Sequence, residues 1–550
     1  MNTFWQSVHL VMGFLKKSVF VFLAIAFTSV ATAHSAPDLL FNYHFVGTGD
    51  LFKTTNAATL KNIWELPESV TLRGNVLDKL SRTPEQLFGA PVSGDSEAAS
   101  LIRPLLDDLL VAESLVEVRR GTTGPGEVVI AVRLTKEQAA RWDSNLQKVV
   151  TAFTKAKSAN TEWEKFNGWE VKQAVTPNLI RSIWTGNWLV LGIGQNELPL
   201  QNNMLRRLAS GNSPADWKGK TNWLEATIDF PRLQTWLPLG KLPLKPAMAE
   251  IALSNKDGNT RTVLRAIYPE PLNWKPQQWQ IPTNIIRDPL ISFTASQNFS
   301  ALLKNPGVLD RTGNNPLTNQ FYIWSQAQLP FMTFGAMPVK DSKTTFNQLA
   351  DRLPKLFNQK LEQEKAGNIV LSTNKESIVW SGLSMIAPHL LATNEAAGQF
   401  IFAGLFPPPP SREAPPRELI EQVSSRTNLV YYDWEITQHR LGHWQMLSKM
   451  LPLLAPKRYP IAPELIAQAK TNQTVRTELS QRILHERWQS KVAPFLGNTI
   501  TEVTLVAPNE IEMIRRSHIG FTGFELLYLS NWLNDPRFPL FREPSAPPQK

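Results

Sequence analysis

The stretch LIRSIWTGNWLVLGIGQNELPL, residues 179–200, sets two apolar runs on either side of Thr185-Gly186-Asn187, and its reading decides the fold. Gly192 and Gly194 precede a helix-like segment, as in a dinucleotide-binding loop. That loop needs a third glycine for close helix packing and must leave a parallel strand. Here Glu197 stands at the third position. The Thr-Gly-Asn turn makes the strand before Gly192 the second arm of a hairpin, so its neighbour is antiparallel. The stretch is a glycine-bearing strand end before a helix, and no nucleotide is expected there.

The same grammar recurs along the chain. LLFNYHFVG (residues 39–47) alternates Phe41, Tyr43 and Phe45 against Asn42, His44 and Val46, a strand pattern. Helical periodicity follows from about Ala57 to Leu110. SLVEVRRGTTGPGEVVIAVRL then reads as a hairpin, and Thr135 with Gln138 forms a capping box that opens a helix to about Thr154. NWLEATIDFPRLQTWL reads as strand and helix, and AEIALSNKDGNTRTVLRAI as a hairpin with an Asp-Gly turn. LISFTASQNFSALL with NIVLSTNKESIVWSGL, and NLVYYDWEITQHRLGHW with TEVTLVAPNEIEMIRRS, repeat the order. The expected class is α+β: antiparallel sheets built from repeated strand–helix–hairpin units, helices packed on the sheets.

The first 33 residues carry Lys16 and Lys17, an apolar run from Val19 to Phe27, and Ala31-Thr32-Ala33, the layout of a secretory signal. Export to the periplasm or beyond follows. An uncleaved anchor in the inner membrane through residues 18–33 is the other reading. The remaining boundaries are 34–285, 286–405, a proline-rich linker at 406–419 (FPPPPSREAPPREL), 420–541, and a disordered tail at 542–550.

Cysteine is absent, which excludes disulfides, thiolate metal sites and a cysteine nucleophile. The 57 Lys and Arg against 47 Asp and Glu make the chain basic, with no basic arm. That balance reads first as a merely solvated surface; an anionic envelope polymer or a lipid surface is the other reading, and nucleic acid is not expected as a partner. Eighteen tryptophans are read mainly as packing residues, Trp184 and Trp188 across a hairpin among them.

Other motifs fail on context. Gly219-Lys220-Thr221 ends like a P-loop, but Pro214 stands where the first glycine belongs. Ser372-Thr373-Asn374-Lys375 falls at a hairpin turn, where a nucleophilic serine is not held at a helix start. The sharpest candidate is His439 and His443, spaced i and i+4, with Glu435 a turn earlier and Asp433 nearby, as a zinc site requires. Arg440 occupies the place of the metalloprotease glutamate, and His485-Glu486 lacks a second histidine. No catalytic, cofactor or metal residue is therefore assigned. A metal-dependent hydrolase at His439 and His443 is kept as the alternative to a non-catalytic binding or structural role.

LVYYDWEITQHRLGHW and FLGNTITEVTLVAPNEIEMIRRSHIGFTGFELLYLSNWLNDPRFPLF resemble a family of exported bacterial proteins of unknown function. The resemblance lies in the last 120 or so residues. It implies export and a shared fold, and brings no activity, cofactor or site residues.

Overall fold

A computed structural model describes residues 39–88, 97–119, 126–172, 179–195, 197–211, 222–236, 246–272, 274–297, 319–327, 332–363, 366–382, 386–407, 413–454, 484–535 and 538–539. The signal, the residues Gly219 to Thr221, most of the proline run and the tail lie outside these.

The hairpin at 179–194 forms as its turn dictates. Leu179–Thr185 pairs antiparallel with Trp188–Gly194, which pairs antiparallel again with Glu127–Arg133. The two glycines serve packing. A Cβ on Gly192 would lie 2.7 Å from the Gln201 side chain, and one on Gly194 would lie 2.9 Å from Leu198. The helix Pro199–Ala209 can thus lie close against the strand, and its first N–H groups are taken by the chain itself. Leu200 N and Gln201 N donate to the buried Glu127 carboxylate at 3.0 and 2.8 Å. A helix N-terminus that would attract a phosphate is already filled by an acidic side chain.

Among the described residues twenty strands form one sheet. The first ten are β1 (Leu39–Phe45), β2 (Ser114–Arg119), β3 (Glu127–Arg133), β4 (Ala159–Trp163), β5 (Phe166–Lys172), β6 (Leu179–Thr185), β7 (Trp188–Gly194), β8 (Asn222–Asp229), β9 (Met248–Lys256) and β10 (Asn259–Ile267). The second ten are β11 (Leu290–Gln297), β12 (Gln320–Gln326), β13 (Thr333–Val339), β14 (Asn368–Leu371), β15 (Ser377–Ser381), β16 (His389–Glu395), β17 (Gly398–Gly404), β18 (Leu429–Ile436), β19 (Asn498–Ala507) and β20 (Glu510–Ser517).

Followed through its pairings, the first half runs β4, β5, β6, β7, β3, β2, β1, β8, β9, β10. The second half, read from its outer edge, runs β14, β15, β16, β17, β13, β12, β11, β18, β19, β20. Each strand of one half thus has a counterpart ten strands later, and β10 joins β20 antiparallel along a central seam. This period of ten strands is longer than the strand–helix–hairpin unit expected from the sequence. The boundary expected at 406–419 falls inside one sheet, because β11 and β18 pair from either side of it. Leu419 and Val423 join the core of Phe293, Tyr322, Trp324, Phe400 and Tyr432 across the same stretch. Each such buried large apolar side chain contributes about 1.5–3 kcal/mol over exposure, so the described segments before and after the linker share one core.

Besides the single turn Thr48–Leu51, the described helices are α1 (Ala58–Glu65), α2 (Pro67–Phe88), α3 (Glu97–Val111), α4 (Lys136–Thr154), α5 (Pro199–Ala209), α6 (Phe230–Trp236), α7 (Ser342–Gln363), α8 (Arg417–Ser424), α9 (Thr437–Leu454), α10 (residues 484–492) and α11 (Gly523–Asn534). The Thr135/Gln138 box caps α4 as its spacing dictates. Ile63, Leu72, Leu441, Trp488, Val492 and Leu526 join α1, α2, α9, α10 and α11 into one helical layer. Helices packed on a large antiparallel sheet make the class α+β.

Every described tryptophan side chain is buried or half-buried. Trp188 packs in the core beside Ile183, and Trp163 stacks on Phe166 at 6.1 Å with the Arg206 guanidinium 5.2 Å from its ring. Aromatic stacking on an outside ligand thus has no exposed tryptophan to use among the described residues.

Candidate functional site

Side chains alternate along β18, so Tyr432 and Trp434 face the apolar core while Tyr431, Asp433 and Glu435 face the opposite side. On that side the register brings together a polar row. Thr294 on β11 lies opposite Asp433, Asp433 opposite Thr501 on β19, and Thr501 opposite Arg515 on β20. The helix after β18 carries Arg440 over the same row, and the helix after β20 adds Glu525.

Five ionisable side chains meet there. Arg515, 7% exposed, grips Glu525 with two bonds, Nη1 to Oε2 at 2.7 Å and Nη2 to Oε1 at 3.1 Å. It also donates to Thr501 Oγ1 at 2.9 Å and to the Gly520 carbonyl at 3.1 Å. Glu525 closes the capping box of α11 by accepting the Thr522 N–H at 2.9 Å. Asp433 accepts the Thr294 hydroxyl at 2.6 Å. Arg440 donates to Ser325 Oγ at 2.9 Å and lies over the Trp444 ring at 4.9 Å. Glu435, 5% exposed, accepts the Gly523 N–H at 2.7 Å. Gly523 is required there: a Cβ would lie 2.5 Å from Leu441 N, where α11 crosses α9.

Burial dominates the electrostatics. It lifts the Glu435 carboxyl, helped by the charge of Asp433 and opposed by the Gly523 N–H and by Arg440, to about 7. It lifts Asp433 too, against the pull of the Thr294 hydroxyl, Arg440 and Arg515. Burial lowers Arg440, opposed by Glu435 and Asp433. The Tyr431 phenol is held well above its ordinary range by burial and by Asp433. Burial beside a second carboxyl, more than the pull of Arg440 and the Gly523 N–H, is the physical reason Glu435 holds its proton toward neutrality.

The histidines of the sequence reading are not drawn into this cluster as ligands. His439 is exposed on α9. His443 is half-buried, its pKa lowered to about 4 by burial and then by the charges of Arg440 and His439. His485 on α10 is buried and likewise lowered to about 4, by burial and then by Lys79. Among the described residues no group of three His, Asp or Glu side chains is placed to hold a metal ion. Among the described residues the third ligand that a hydrolase at His439 and His443 needs is not assembled there. Glu435, the expected partner, is bound to the α11 backbone instead. Ser372 accepts the Ser377 N–H at 3.0 Å and donates to Asn374 at 2.7 Å, the work of a turn residue.

Arg515 and Glu525 went unread in the sequence. Thr522-Gly523-Phe524-Glu525 has the capping-box spacing that marks a helix start. That local signal was legible, whereas the pairing with Arg515 depends on the fold.

No protein-family model matches the chain, and no curated protein matches it. Its likeness to solved structures includes crystal forms IV, I and III of TP0453, at 11%, 10% and 13% identity and a TM-score of 0.23 in each case. These matches cover 42%, 44% and 43% of this chain and 76%, 77% and 79% of the other. So loose a superposition carries nothing across, and no family is shown. Among the described residues no helix is long and apolar enough to cross a membrane.

Proposed function

We propose that this chain is an exported, non-catalytic binding or structural protein of the bacterial cell envelope, built as two copies of a ten-strand module. The observation that carries the reading is how the charged cluster is used. Arg515 and Glu525 hold each other, and the carboxyl that titrates near neutrality accepts a backbone N–H of α11. Such a network specifies how a helical layer docks on a sheet. The matching strand order of the two halves supports the duplication. The signal-like first 33 residues support export.

Fractionation of cells followed by N-terminal sequencing and elemental analysis tests this. The expected result is a chain in the envelope fraction beginning at His34 and free of stoichiometric zinc. A chain confined to the cytoplasm would overturn the address. One zinc per chain, lost on replacing His439 and His443, would overturn the non-catalytic role. A chain still beginning at Met1 in the inner membrane would favour the anchor through residues 18–33.

A further inference from the structure

A cavity of about 410 Å³ lies at the sheet's central seam, lined by Lys256, Asp257, Asn259, Arg261 and Arg516. It opens on the face opposite the buried charged row, since Arg261 and Arg516 alternate with Thr262 and Arg515. Arg261 on β10 stands directly opposite Arg516 on β20, and both are exposed. Like charges facing each other across a strand pair are destabilising.

The fold does not force this arrangement. Four residues along the same face of β10, Arg265 stands opposite Glu512, bonds Glu510 at 2.5 Å and lies 3.6 Å from Glu250. At the cavity the neutralisation stops. Glu502 bonds Arg516 at 3.2 Å, but its other oxygen is taken by Arg426, so one carboxylate serves two guanidinium groups. Among the described residues neither Lys256 nor Arg261 makes an ion pair with a carboxylate. The Asp257 carboxyl lines the same cavity, from a hairpin turn where Asp257 and Gly258 both take positive φ.

From this cavity we infer that Lys256, Arg261 and Arg516 form a binding subsite for a phosphate group, on a lipid headgroup or free in solution. Guanidinium forks match phosphate oxygens two at a time, and an ammonium adds a point charge. A bound phosphate turns the Arg261–Arg516 repulsion into a shared attraction. The inference rests on the reading of the chain as a binding protein and gives that reading a place and a ligand chemistry.

The test is a thermal melt and a direct titration of the mature chain with inorganic phosphate, against chloride at equal ionic strength. The wild type should melt higher in phosphate. Arg261→Gln should melt higher than the wild type in chloride, because the repulsion is gone, and should bind phosphate about tenfold more weakly, the equivalent of one lost charge-assisted bond. Asp257→Asn keeps a residue suited to the turn and should tighten binding.

Flotation with phosphatidylglycerol vesicles separates the sources. Flotation lost in Arg261→Gln assigns a headgroup, and phosphate binding without flotation assigns a soluble ligand. Equal phosphate binding by wild type and Arg261→Gln, or none by the wild type, would overturn the subsite. Flotation that survives Arg261→Gln would also overturn it, while leaving a binding role intact.

Discussion

Along one row across the sheet, cross-strand partners run Phe45, Leu224, Leu253, Thr262, Arg515, Thr501, Asp433, Thr294. The first four belong to the first ten strands, and Phe45, Leu224 and Leu253 share a face with Phe41, Ile228 and Ile251, which pack with Phe230 of α6. Beyond Thr262 the same face turns polar and receives α9 and α11. The opposite face changes the other way along this row, from His44 and Glu225, with His44 bonding Glu113 at 2.9 Å, to Tyr432, Ala295 and Tyr322 in the large aromatic core. From His44 that face also continues outward through Leu115, Ala131, Val190 and Ile183, which pack with Met204 and Leu205 of α5. Both halves thus bury that face under a helix, and they differ on the face that runs from Phe45 to Thr294. Strand order alone therefore does not say what covers a face.

Truncation in the polar and in the apolar stretch of that face is the largest way to break the contrast. Arg515→Ala empties a buried position and leaves the half-buried Glu525 without its partner, and should cost about 3–5 kcal/mol of unfolding free energy. Ile228→Ala, in the apolar end, leaves a cavity and should cost about 2–4 kcal/mol. Urea denaturation of both variants measures this. A change below about 1 kcal/mol for Arg515→Ala, the range of an exposed ion pair, would mean that the polar end does not hold the helices.

A smaller effect separates the ends by pH. Glu435 keeps its proton up to about 7 when folded and releases it near 4.5 when unfolded. Its contribution to stability is thus fully present below 4.5 and is lost as the pH rises through 7. Glu435→Gln retains an acceptor for the Gly523 N–H and should remove this alkaline loss, on the order of 1–3 kcal/mol. Denaturation midpoints between pH 5 and 8 read it directly, and an unchanged slope in the variant would remove Glu435 as the titrating group.

The smallest expected effects are at the histidines. His443 is held neutral, its pKa lowered from 6.5 to about 4, so its contribution is present above 6.5 and lost as the pH falls to 4. His443→Leu should lessen the acid loss. His439→Ala, at an exposed position, should shift stability by no more than about 0.5 kcal/mol at pH 7. A larger loss at His439 would show that it holds something besides solvent.

The local features were legible from residue order. Thr185-Gly186-Asn187 and Asp257-Gly258 close their hairpins as turn chemistry demands, and Thr135 with Gln138 caps α4. These rest on contacts within a few residues, which the order of side chains determines directly. The antiparallel pairing of these strands follows from them. The ten-strand period, the pairing of β11 with β18 across the proline run, and the meeting of Asp433, Glu435, Arg440, Arg515 and Glu525 were decided only in three dimensions. Arg515 lies 82 residues from Asp433 in the chain, yet Thr501 alone separates them along the row. The i, i+4 histidines offered a local pattern for a site, but the buried charged cluster was set by which strand lies beside which and which face the helices cover.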